Sequence, residues 1–124
     1  MEVWELEFEW LRIRHFVKNK IGRDELPDLN VVLIMIGIQE LGILKTGRLT
    51  KEEKTDLMHI ASCRLLSLDG YYEFLGNDQD GWPHFQMVKP FRIKGVKEQE
   101  QYLKEKIIQY FKTEFPLEFN HINA

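Results

Sequence analysis

Val3, Leu6, Trp10, Ile13, Val17 and Ile21 recur at steps of three and four along the start of the chain, which places them on one face of a helix. The same stretch also alternates, with Trp4, Leu6, Phe8 and Trp10 set between Glu5, Glu7 and Glu9 as a strand would have them. The helical period runs on through Ile21, further than an ordinary strand extends. Glu2 and Glu5 at the front, and Lys18 and Lys20 at the back, suit the helix dipole, and Gly22 supplies a stop. The pattern predicts a helix over 2–20, with an initial strand as the competing reading.

The next apolar stretch, "NVVLIMIGIQELG", has no polar stripe before Gln39 and Glu40. Pro27 and Asp28 mark its start and Gly42 its end. A helix apolar on every side belongs at the centre of a domain, so 31–38 is the expected core. Gly37 is costly inside a helix and implies that another element packs closely there.

In "LTKEEKTDLMHIASCRLLSLDG", Thr50 and Glu53 form a capping box, and Leu57, Ile60, Ala61, Leu65 and Leu68 give the buried stripe of a third helix that Gly70 ends. From 71 to 94 the chain turns aromatic and β-prone, and Pro83 and Pro90 exclude a continuous helix. A fourth helix is expected over 96–112, with Val96, Leu103, Ile107, Tyr110 and Phe111 on one face, before a tail at 113–124 that breaks at Pro116. The expected fold is mainly α. It is a compact bundle of about four helices in a single domain over 1–124, with a short β-hairpin or ordered aromatic loop between the third and fourth.

Composition narrows the function classes. With 44% hydrophobic residues the chain is globular in type, and a formal charge of -3 with interspersed signs leaves no broad cationic field for a phosphate backbone. A single cysteine, Cys63, precludes an internal disulfide and fits a reducing compartment. The acidic N-terminus is unlike a signal peptide, and the longest apolar run is far short of the roughly 20 residues a membrane span needs. A cytoplasmic location is the expectation.

The stretch "GNDQDGWPHF", 76–85, raises the first chemical question. A calcium loop with Gly81 at its sixth position would put Gly76 at the first and Met87 at the twelfth, and neither supplies the required ligand. A hairpin turn fits better, with Asn77, Asp78 and Asp80 bonding to backbone and the glycines taking positive φ. Tyr72, Asp78, Asp80, Trp82 and His84 would then form a recognition surface of aromatic anchors around an acidic tip.

Asp56, His59 and Cys63 form a second constellation, spaced three and four apart on one helical face. These residue types bind zinc or iron, and Asp56 to His59 has the carboxylate-x-x-His spacing of di-iron bundles. A di-iron site also needs a second such pair, and the only other match, Glu118 to His121, lies in the tail. As a nucleophile Cys63 is poorly placed, well inside a helix with Arg64 as its only adjacent cation.

No phosphate-binding loop or serine elbow is present. Lys89, Arg92, Lys94 and Lys97 alternate with Phe91 and Ile93, a pattern more typical of a solvated strand edge than of a nucleic-acid grip, so nucleic acid is not the expected partner. Glu40 follows the apolar run at the edge of the core, and Trp4 and Trp10 are either both core or part of a dimer face.

The chain therefore reads as a small non-catalytic protein-interaction module without a cofactor, binding another protein or its own copy through the 71–85 segment. The alternative is a small metal-binding protein or enzyme centred on Asp56, His59 and Cys63.

Overall fold

The computed structural model describes residues 2–42 and 48–119. Its elements are the helices α1 (Val3–Ile21), α2 (Leu29–Leu41) and α3 (Lys51–Ser67), the strands β1 (Tyr72–Asn77) and β2 (Pro83–Met87), and the helices α4 (Val96–Glu114) and α5 (Pro116–Phe119). The fold is mainly α, and an antiparallel two-stranded hairpin stands between the third and fourth helices. Among the described residues, no helix is long and apolar enough to cross a membrane.

The chain forms two compact units, one of Met1–Leu26 with Arg92–Ala124 and the other of Pro27–Phe91. In the first, α1 starts at Glu2 in extended conformation and ends where Gly22, at φ 67°, turns left-handed and donates its N–H to the Lys18 carbonyl. The N-terminal segment is thus helical, and the strand reading fails. Leu6, Trp10, Ile13 and Val17 are buried as the period requires, whereas Val3 (69% exposed) and Ile21 (41%) at the ends of the stripe are not.

α1 contacts α4. Phe16 on α1 meets Phe111 edge-on at 5.9 Å, and Phe115 and Phe119 complete the aromatic cluster at 5.0 and 5.2 Å from Phe16. The Arg12 guanidinium donates to Glu9 at 2.9 Å and to the Glu118 carbonyl at 3.1 Å, and lies over the Phe119 ring. On α4 the buried residues are Ile107, Ile108, Tyr110 and Phe111, while Val96 is 76% exposed, so the first turn of the expected stripe lies outside the core. Pro116, expected only to break the tail, opens α5 as its first residue, a position that tolerates a missing N–H.

In the second unit α2 packs on α3. Asp28 caps α2 by accepting the Val31 N–H at 3.0 Å, and Val32, Leu33, Ile36, Gly37 and Leu41 are buried. Val31, Ile34, Met35 and Ile38 are only half-buried, so this helix is one-sided in spite of its uniform composition. The close approach expected at Gly37 is present: a Cβ there would fall against the Leu57 carbonyl oxygen and within 2.9 Å of the Leu57 Cα. Arg64 pairs with Glu40 across the two helices at 3.3 Å, so the carboxylate at the end of the apolar run has a partner on the facing helix.

The capping box of α3 forms as expected. Glu53 donates its N–H to the Thr50 hydroxyl at 3.1 Å, and Thr50 donates its own to the Glu53 carboxylate at 2.9 Å. Leu57, Ile60, Ala61, Cys63 and Leu65 are buried, and Leu68 is half-buried. Residues 68–71 then reverse the chain: Gly70, at φ 79°, donates to the Ser67 carbonyl, and Tyr71 donates to that of Leu66. This short reversal lays β1 against the helix it has just left.

Candidate functional site

In the hairpin Tyr72 stands opposite Met87 and Phe74 opposite Phe85, but Gly76 then faces His84, which leaves Leu75 as the extra residue of a bulge. A bulge bends and overtwists a ribbon. Gly76 accommodates that distortion at φ 120°, a conformation that residues with a side chain rarely adopt.

The segment 76–85 is a hairpin turn, as its Asx and glycine content suggests, and Asp78 organises it. One carboxylate oxygen accepts the N–H groups of Asp80 at 2.9 Å and Trp82 at 3.0 Å. The other accepts from His84 Nε2 at 2.9 Å. The Asp78 N–H donates to the Trp82 carbonyl and its own carbonyl accepts from Gly81, which takes φ 87°. The His84 hydrogen bond, followed by that from the Trp82 backbone, holds the Asp78 carboxyl below its ordinary range.

The cleft between α3 and this hairpin, about 400 Å³ in volume, brings together residues that seemed separate along the chain. Asp56, His59 and Cys63 come from α3, and Tyr72, Asp78, Trp82 and His84 from the hairpin. Ile60, Pro83 and Phe85 complete the lining. Asp80 stands apart at the tip of the turn and is exposed. Trp82 and Tyr72 are half-buried, a usual state for aromatics that keep one face available.

The two halves of the cleft differ chemically. Asp56, His59 and His84 are exposed, and two carboxylates border the space. Cys63 is 4% exposed, with its Sγ 3.6 Å from His59 Nε2. Burial pushes the Cys63 thiol above its ordinary value, the opposite of what an activated nucleophile needs. Among the described residues no three His, Cys, Asp or Glu side chains lie close enough together to hold one metal ion, and His121 of the second carboxylate-x-x-His pair falls outside them.

What sequence reading missed was the encounter of the two groups, together with Ile60, Pro83 and Phe85. The available signal was the length of the connection. Four residues between a helix and a hairpin leave the hairpin little choice but to fold back along the helix. Comparisons with protein-family models, curated proteins and solved structures each return no match.

Proposed function

We propose that the protein is a non-catalytic interaction module whose α3–hairpin cleft receives a basic side chain from a partner protein. One observation carries the reading: Tyr72 and Trp82 border the same space as Asp56 and Asp78, and among the described residues no lysine or arginine lines it. An arginine or lysine entering there gains a carboxylate for its charge and aromatic faces for cation–π contact, which contributes about 0.5–2 kcal/mol depending on desolvation. The fixed turn around Asp78 supports the reading further, since an acceptor already held in place loses little entropy on binding.

The test is titration of labelled protein with blocked arginine and lysine amides and with blocked glutamate amide, following the Trp82 indole resonance. Arginine and lysine should give saturable shifts confined to the cleft, weakened by added salt and by Asp56→Asn, a change on an exposed residue. Absence of a shift, or an equal response to glutamate, would refute the proposal.

The alternative, a small metal-binding protein or enzyme centred on Asp56, His59 and Cys63, is favoured by the His59–Cys63 approach alone. Elemental analysis decides it: near-stoichiometric zinc or iron in purified protein, abolished by His59→Ala, would replace our reading.

A further inference from the structure

Helix α1 carries two apolar faces. Leu6, Trp10, Ile13 and Val17 are buried, while Trp4 (69% exposed), Phe8 (57%) and Leu11 (42%) recur at steps of four and three on the other side of the helix, followed by exposed His15. Phe8, Leu11, His15, Phe16 and Phe119 border an apolar depression of about 400 Å³ along that second face. An exposed stripe of large apolar residues rimmed by charge marks an interaction surface.

The charges beside the stripe point to its occupant. Glu5, Glu7 and Glu9 lie in the first half of α1 with no base among them, and Arg12, Arg14, Lys18 and Lys20 lie in the second half with no acid. Such a surface repels its own copy when the helices run parallel and attracts it when they run antiparallel. At about 100° per residue, Glu5 and Arg12 flank one side of the stripe, and Glu7 and Arg14 flank the other.

We propose that α1 pairs antiparallel with α1 of a second copy about a two-fold axis between Phe8 and Leu11. That axis sets Phe8 opposite Leu11 of the second copy and Trp4 opposite His15, beside the depression. It also brings Glu5 within about 3 Å of axial level with Arg12 of the second copy, and Glu7 equally near Arg14, since a helix rises about 1.5 Å per residue. Both flanks then face charges of opposite sign in each direction, with Arg12 also held by Glu9 and Glu7 by Lys104 within its own chain. A single helix pair is a small interface, and the dimer forms in a concentration-dependent equilibrium.

Sedimentation equilibrium on the full chain tests this. The native protein should dimerise as concentration rises, and Phe8→Glu, at an exposed position, should weaken association by about tenfold or more with an unchanged circular dichroism spectrum. Glu7→Lys and Arg14→Glu should each be monomeric alone, and an equimolar mixture of the two should restore the dimer. In an antiparallel pair the two substitutions fall opposite each other as a reversed ion pair, while the native Arg14 of one variant meets the native Glu7 of the other. A native chain that stays monomeric at the highest attainable concentration overturns the proposal. So does a dimer indifferent to Phe8→Glu, or a mixture that fails to associate.

Discussion

Replacing Gly37 by alanine should destabilise the protein, although alanine is the better helix former by about 1 kcal/mol. Gly37 is buried on α2, and the added methyl would land on the Leu57 carbonyl group, 2.7 Å from its carbon and 2.9 Å from the Leu57 Cα. Ordinary carbon contacts are about 3.5–4.0 Å, so α2 and α3 must part by roughly 1 Å at their closest point. Overpacking of that kind costs about 1–3 kcal/mol, and the upper end applies because the obstacle is backbone and cannot change rotamer. After subtracting the gain in helix propensity, the net loss is about 2 kcal/mol. For a chain of this size that lowers the melting temperature by about 8 °C. Thermal and urea denaturation would measure it, and hydrogen exchange should localise the loss to α2 and α3. Leu57→Ala in the same background should give no rescue, since the contact is with main chain. A Gly37→Ala protein that melts at or above the native temperature would refute this account of the α2–α3 crossing.

Two further outcomes follow from the cleft. The Asp78 carboxyl titrates below its ordinary value, so its contribution to the turn is complete above the unfolded carboxyl range near about 3.9 and disappears as pH falls through the lower folded value. The Trp82 backbone amide resonance, whose N–H donates to Asp78, should therefore show its carboxyl transition below the ordinary value; a carboxyl transition at or above that value, or one that persists unchanged in Asp78→Asn, would show that another group controls the turn. Cys63 should react with iodoacetamide at neutral pH much more slowly than a free thiol, and accelerate in denaturant and as pH rises toward its elevated pKa. Rapid modification of the folded protein would revive the nucleophile reading.

The helices were legible where period and punctuation agreed. α3 is the clearest case, because its capping box fixes the first turn locally and the leucine spacing fixes the buried side. Gly37 was legible for the same reason: a residue unfavourable to its own helix signals a demand from outside it. Period alone says which side of a helix faces inward, not how far along its length cover extends. Val3, Ile21 and Val96 fit their stripes and are exposed, because nothing in a helix's own sequence records where its neighbour ends. α5 was lost to an ambiguity of proline, which terminates one helix and can open the next.

The site divides along the same physical line. Its turn was readable because Asp78 bonds within four residues to Asp80 and Trp82, and within six to His84. The cleft was not, because it depends on the hairpin docking against α3, which the fold decides. The two tryptophans of α1 illustrate what a sequence does contain without announcing it. Trp10 lies six steps after Trp4, about 120° around the helix at about 100° per step, so one narrow buried stripe cannot hold both. Trp10 joins Leu6 and Ile13 in the core at 5% exposure, and Trp4 is left with Phe8 and Leu11 outside it. Core or not, posed for the pair as a whole, has a different answer for each member: Trp10 is buried and Trp4 is exposed.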